Sequence, residues 1–340
     1  MRAAVYMGAR RFEIQDLPVP EPAPGNLLVR VKYCGICGTD VHTFMYDVTP
    51  PGTQMGHEYS GTVVGLGAGV TNWSIGDRIV GGGGTPPPDH DDPTASDPRF
   101  NYREMGPGRE PMWARGYAEF VEVEAWRPIA IPDGVSDEAA AMAEPLATAV
   151  HAVRRSALKI GDTVAVLGAG PIGLFTMQVA RAAGASKIFV AEPAPARTLA
   201  ARELGADAVI DPTETDVEEA MVELTDGVGP DVVFECAAAK GTLDDALRTV
   251  RKGGNVTLVS LAWEQTALNP VNWIAREIKF TTSFVYEPED WKIGLDLIRK
   301  GKVTVEPLMA TGAIIGLDDL QMTFERLMAP ASDIKMLLAP

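Results

Sequence analysis

Six residues constrain this chain more than any others: Gly168-Ala169-Gly170-Pro171-Ile172-Gly173. The spacing Gly-x-Gly-x-x-Gly means little in isolation, because glycine-rich loops produce it by chance. Here it follows the apolar run Val164-Ala165-Val166-Leu167, which reads as a strand, and it opens a helical stretch from Ile172 to Ala183. The next strand is read at Lys187 to Ala191, and Glu192 stands at its end, 19 residues after Gly173. Strand, glycine turn, helix, strand and acidic residue in this order form the dinucleotide-binding fingerprint. Gly168 permits the tight turn, Gly170 lets backbone approach a pyrophosphate, and Gly173 permits close helix–strand packing. The helix opened by Pro171 and Ile172 offers free N–H groups and a positive dipole end to phosphate. Glu192 is expected to accept hydrogen bonds from the adenosine ribose hydroxyls and to repel a 2′-phosphate, so NAD is predicted over NADP. Arg197, which can reach the same ribose, works against that preference.

The pattern of the chain changes at about residue 138. Beyond it, strands and helices alternate, with further strands read at Ala208–Ile210, Asp231–Phe234 and Asn255–Val259. Continuous apolar strands in repeated β-α units predict a parallel sheet covered on both faces. The first 80 residues instead read as short strands between turns, such as Leu27–Val31 and Gly61–Gly65, with a spaced proline run at Pro18, Pro20, Pro22 and Pro24. Residues 81–112 open with the four glycines Gly81 to Gly84, carry three prolines in a row and Asp89, Asp91, Asp92 and Asp97, and read as a long loop or lobe. Such a lobe suits substrate gating or subunit contact, or is a plain acidic insertion.

Charge narrows the partners. Asp and Glu number 46 against 30 Lys and Arg, a formal charge of −16, which disfavours nucleic acid and anionic membrane. No apolar run approaches the ~18 residues that span a bilayer, and the N-terminal segment lacks a secretion signal. A cytoplasmic protein is expected. The three cysteines, Cys34, Cys37 and Cys236, are too few for a disulfide framework. Cys34-x-x-Cys37 has no second Cys-x-x-Cys to complete a zinc ribbon.

A second constellation precedes the glycine motif: Cys37-Gly38-Thr39-Asp40-Val41-His42, then Gly56-His57-Glu58, then Glu144-Pro145-Leu146-Ala147. Together these offer a thiolate, an imidazole and two carboxylates, a plausible set for a catalytic zinc with an open position. In this order, ahead of a dinucleotide motif, they resemble the zinc-dependent medium-chain dehydrogenases, most closely the polyol branch that includes sorbitol, butanediol and threonine dehydrogenases. The resemblance covers the chain apart from the segment around residues 84–112.

That resemblance implies an α/β protein: a doubly wound Rossmann domain at residues 147–285, and a mainly β GroES-like catalytic domain at residues 1–146 and 286–340. It makes Cys37 and His57 zinc ligands, with Glu58 and Glu144 filling the remaining positions directly or through a water. Asp40 is placed to orient His57, and Cys34 reads as a packed residue. Thr39 takes the alcohol proton and His42 relays it to solvent through the cofactor ribose. Val259 and Leu261 lie where the family's backbone meets the nicotinamide carboxamide, and Thr148 where a side chain packs on the nicotinamide face. Relatives outside the polyol branch carry an arginine for the pyrophosphate where this chain has Gly38. His151 and Cys236 read as structural, and Lys335 as either reaching the cofactor phosphates or solvated. The family's second, structural zinc needs four cysteines after a Gly-Asp-Arg element; Gly76-Asp77-Arg78 is present, but residues 81–125 hold no cysteine. One catalytic zinc and no structural zinc are therefore expected. The implied reaction passes hydride from a secondary alcohol, diol or cyclic polyol to NAD in a homodimer or homotetramer. The alternatives are a threonine-type amino-alcohol dehydrogenase and a non-catalytic nucleotide-binding relative. Tyr102, Trp113 and Tyr117 are candidates for shaping the pocket.

Overall fold

In the computed structural model, strand Asn26–Gly35 follows the alternation its sequence dictates, burying Leu27, Val29 and Val31 while Arg30 and Lys32 face outward. Residues 1–85, 114–262, 265–310, 312–329 and 333–340 are described. The lobe residues 86–113, including Tyr102 and Trp113, lie outside them. The chain divides into two units, Met1–Glu144 with Met309–Pro340, and Pro145–Leu308.

In the first unit, Asn26–Gly35 pairs antiparallel with Glu58–Leu66 and with Phe120–Glu124. Glu58–Leu66 continues to Arg78–Val80, and that strand to Ile129–Ala130. The C-terminal segment returns to this sheet, with Leu337 opposite Gly35 and Leu338 opposite Cys34. The core between these strands is aromatic: Tyr6, Phe12, Phe44, Tyr117 and Phe324 are all buried. Phe12, Phe44 and Tyr117 each place a ring centroid within 4.9–6.1 Å of Phe324.

The second unit holds a six-stranded, all-parallel sheet. Its order is Ala208–Ile210, Lys187–Ala191, Thr163–Leu167, Val232–Glu235, Asn255–Leu258, Lys279–Thr282. The order reverses beside Thr163–Leu167, the switch point at which doubly wound sheets open a crevice for a ligand. Val164, Ala165, Val166 and Leu167 are buried without alternation, as a strand covered on both faces requires.

Residues 286–308, expected with the catalytic part, pack with the second unit instead. Helix Pro288–Arg299 is tied there by ionic hydrogen bonds. Asp290 lies 2.8 Å from His151 Nδ1 and accepts from Arg154 at 2.5 Å, while Gln178 accepts the Thr304 amide at 2.8 Å. Burial pushes the Asp290 carboxyl up, but its bonds with His151, the Glu287 amide and Arg154 outweigh that and hold it below the ordinary value. An amphipathic helix does not announce what it packs against; these partners place it beside helix Ala143–Arg155.

Candidate metal and cofactor sites

Cys37 is the N-cap of helix Gly38–Met45. Its Sγ accepts the Thr39 amide at 3.4 Å, and Asp40 reaches back to the Cys37 amide, closing a capping box. A sulfur at a helix N-terminus sits where the dipole favours the thiolate, but burial foremost, against the pull of His57, holds the Cys37 thiol above its ordinary pKa in the metal-free chain. His57 is the last residue before strand Glu58–Leu66, and Glu58 is the first, directly across from Gly35. Helix start and strand start thereby bring one ligand atom each from Cys37, His57 and Glu58 within 4.8 Å of one another.

Asp40 organises this group. It is buried, places Oδ1 3.5 Å from His57 Nδ1, and accepts from Tyr117 Oη at 2.6 Å. Burial lowers the pKa of His57, but the charges of Asp40 and Cys37 raise it further, to well above the ordinary value. The Asp40 and Cys37 side chains thus favour positive charge at the imidazole. Burial foremost, against the pull of His57 and with the push of Glu58, raises the Glu144 carboxyl to about 7. Glu144 feels these charges, but its carboxylate stands outside the trio formed by Cys37, His57 and Glu58.

Lys335 departs from both readings of the sequence. It is neither solvated nor directed at a phosphate: its Nζ is buried, ion-paired with Glu58 Oε2, and 3.0 Å from the Ile36 carbonyl. Gly35 makes the pair possible, since a Cβ there would stand 2.1 Å from Glu58 Oε2 and 2.9 Å from Lys335 Cε. The signal available was a lysine inside the apolar run Ile334-Lys335-Met336-Leu337-Leu338. Tyr117 also differs from expectation, being fully buried beneath Asp40.

The donor set fits zinc: a cysteine sulfur, an imidazole faced on one nitrogen by a carboxylate, and a second carboxylate, converging with Cys37 and His57 half-buried and Glu58 buried. A second group, His151, Glu287 and Asp290, also converges, but it offers no thiolate and Glu287 is exposed. Cys34 is buried, its thiol pushed well up by burial, as an inert packed cysteine would be. Thr39 and His42 lie on the Cys37-capped helix, both half-buried. Burial lowers the His42 pKa, favouring the neutral imidazole.

In the second unit, the three motif glycines divide their roles physically. Gly168 has φ +92°, and a Cβ there would meet Ala237 Cα at 2.8 Å. A Cβ on Gly173 would stand 1.9 Å from the Gly168 carbonyl oxygen, whereas one on Gly170 would meet nothing within 4 Å. Gly170 is thus the position left open for a ligand to approach backbone. It is also the N-cap of helix Pro171–Ala182, with no side-chain cap on the helix N-terminus that Pro171 and Ile172 begin. Glu192 is buried, its two oxygens accepting from the Ala169 and Ala194 amides at 2.7 and 2.9 Å. Further lone pairs remain on both oxygens. Arg197 lies on helix Pro195–Glu203, its Nε buried without a hydrogen-bond partner. Val259 and exposed Leu261 follow strand Asn255–Leu258, and Leu261 lines a pocket with Glu235, Ala238, Thr242, Leu258 and Ser260. Thr148 is half-buried on helix Ala143–Arg155. Cys236 is half-buried, its sulfur 4.0 Å from Thr176 Oγ1.

Two family models match this chain: alcohol dehydrogenase GroES-like domain over residues 23–133, and zinc-binding dehydrogenase over residues 171–300. A sorbitol dehydrogenase of Halalkalibacterium halodurans is 35% identical over 315 residues, 89% of both chains. An (R,R)-butanediol dehydrogenase of Bacillus subtilis is 32% identical over 354 aligned residues, covering both chains completely. Among solved structures, a zinc-binding dehydrogenase of Sinorhizobium meliloti bound to NADP superposes with a TM-score of 0.86 at 31% identity, covering 100% of this chain and 99% of that one.

Proposed function

Since the chain belongs to the zinc-dependent medium-chain dehydrogenase/reductase family, among the polyol and diol dehydrogenases, we propose that it oxidises a secondary alcohol, diol or cyclic polyol to a ketone with NAD. One zinc ion is held by Cys37, His57 and Glu58. The observation that carries this reading is the convergence of those three side chains around a common point.

A zinc ion there supplies Lewis acidity, lowering the pKa of an alcohol toward ~7, as it does for water. The chain's own groups do the rest. The Thr39 hydroxyl accepts the alcohol's proton while giving up its own. His42, kept neutral by burial, takes that proton on toward solvent. Asp40 holds His57 by Nδ1 and leaves Nε2 for the metal. The glycine turn and the N-terminus of helix Pro171–Ala182 receive the cofactor pyrophosphate. Glu192, with acceptor capacity beyond its two amides, selects ribose hydroxyls over a 2′-phosphate.

Assaying NADH formation on butanediols, sorbitol, inositols and threonine, with and without a chelator, tests the proposal. The expected result is turnover of a diol or polyol that a chelator stops and added zinc restores, with kcat/KM at least about tenfold higher for NAD than NADP. Chelator-resistant turnover contradicts the metal assignment, an NADP preference contradicts Glu192, and turnover of threonine alone favours the amino-alcohol reading.

Self-association belongs to the same proposal. Strand Lys279–Thr282 is an edge of the six-stranded sheet, and Val271, Ile274, Phe280 and Phe284 near it are exposed. An open, apolar edge is what a second copy of the chain covers in a symmetric dimer. Ile274→Glu with Phe280→Glu is expected to give monomers in sedimentation, and an unchanged mass would rule this edge out as the interface.

A further inference from the structure

Asp40 is only 6% exposed, and its polar contacts are unequal. The Cys37 amide and His57 Nδ1 lie at 3.4 and 3.5 Å, whereas the Tyr117 hydroxyl donates at 2.6 Å. Tyr117 is the closest of the three. Its own position is fixed twice against the ligand-bearing segment. Its amide donates to the Met55 carbonyl at 3.0 Å, and the neighbouring Gly116 amide donates to the Gly56 carbonyl at 2.7 Å. Its ring lies over Gly56, the residue before His57: a Cβ there would stand 2.6 Å from Tyr117 Cδ1. Gly56 has φ +96°, so glycine serves both the backbone and the ring.

The tyrosine thus touches the two components whose relative placement matters. Its ring packs on the backbone that carries His57, and its hydroxyl anchors the carboxylate that faces the His57 ring. From this geometry we infer that Tyr117 is a positioning residue, locking Asp40 so that His57 presents Nε2 in one fixed direction, and thereby setting how tightly the metal is kept. A phenylalanine would fill the same space but leave Asp40 Oδ2 with only the distant Cys37 amide. The Asp40 carboxylate would then turn or draw in water, and the imidazole would lose its fixed tautomer and aim. Burial and the Asp40 charge hold the Tyr117 phenol well above its ordinary pKa, so it remains a donor throughout the working range.

The inference rests on zinc binding at Cys37, His57 and Glu58, and the test separates the two. Zinc affinity of the full chain is measured by competition with a chelating dye for wild type, Tyr117→Phe, Asp40→Asn and the double variant. Wild type is expected to bind one zinc, and Tyr117→Phe to bind it about tenfold more weakly. In the Asp40→Asn background, adding Tyr117→Phe should change affinity less than about twofold, because the hydroxyl acts through the carboxylate. The visible spectrum of the cobalt-substituted protein should shift in Tyr117→Phe, as a change confined to packing would not make it do. Equal affinity of wild type and Tyr117→Phe overturns the inference while leaving the zinc site intact, and so does an equal loss in both backgrounds. A wild-type chain that takes up no zinc overturns both.

Discussion

Cys37→Ala is expected to strip the protein of zinc and to lower turnover by about a thousandfold or more. Lewis-acid stabilisation is worth several kcal/mol, and each ~1.4 kcal/mol is a factor of ten in rate. The substitution also removes a helix cap, since Cys37 Sγ accepts the Thr39 amide and joins a capping box with Asp40. Loss of such a cap costs about 1 kcal/mol, so the alanine variant should unfold at lower urea as well. Cys37→Ser separates the two effects. Its hydroxyl can cap the helix, but it does not replace a soft thiolate on zinc. The serine variant should therefore match wild-type apoprotein in unfolding while still losing metal and turnover. Metal analysis beside steady-state rates reads both, and full zinc content with full turnover in Cys37→Ser would refute the role.

The other large effect is expected at Lys335. Lys335 and Glu58 are each about 1% exposed on their side chains and pair directly. Burial works against the lysine's charge, but Glu58 and Cys37 more than offset it, and its pKa is raised. Lys335→Met keeps the chain length and leaves Glu58 as a buried carboxylate without its cation. Breaking a buried pair by removing one partner costs about 3–5 kcal/mol. The metal-free variant should lose that much in urea unfolding. Saturating zinc should restore a large part of it, because a dication beside Glu58 supplies the missing positive charge. Adding Glu58→Gln to Lys335→Met should also recover stability in the metal-free protein, since no charge is then stranded. A Lys335→Met apoprotein as stable as wild type would show that the pair contributes nothing.

What the sequence disclosed, and what it withheld, follows from the range of the forces involved. Gly168, Gly170 and Gly173 could be assigned separate tasks in advance because a positive φ and a Cβ clash act within a few residues. Gly168 has φ +92°, a Cβ on Gly173 would meet the Gly168 carbonyl oxygen at 1.9 Å, and Gly170 faces open space. The parallel order of the second sheet was equally legible, since uninterrupted apolar strands such as Val164–Leu167 require cover on both faces. Lys335 was not legible, because its partner is 277 residues away and its burial depends on the register that sets Leu337 opposite Gly35. Tyr117 was read as a pocket residue for the same reason: an aromatic side chain in a loop-to-strand segment gives no sign that a carboxylate 77 residues earlier waits beneath it. The return point of the chain was misplaced between residues 286 and 308 because Asp290 finds His151 and Arg154 only in three dimensions. At the candidate metal site the candidate donors were visible in Cys37, His57, Glu58 and Glu144, whereas the grouping of Glu58 with Cys37 and His57 needed the strand pairing at Gly35.

Zinc-edge X-ray absorption on the metal-loaded protein, with the metal counted per chain, addresses the central assignment directly. The account predicts one zinc per chain, with a single sulfur at about 2.3 Å and nitrogen and oxygen neighbours at about 2.0–2.2 Å. A shell without sulfur, a shell with two or more sulfurs, or two tightly held zinc ions per chain would contradict it.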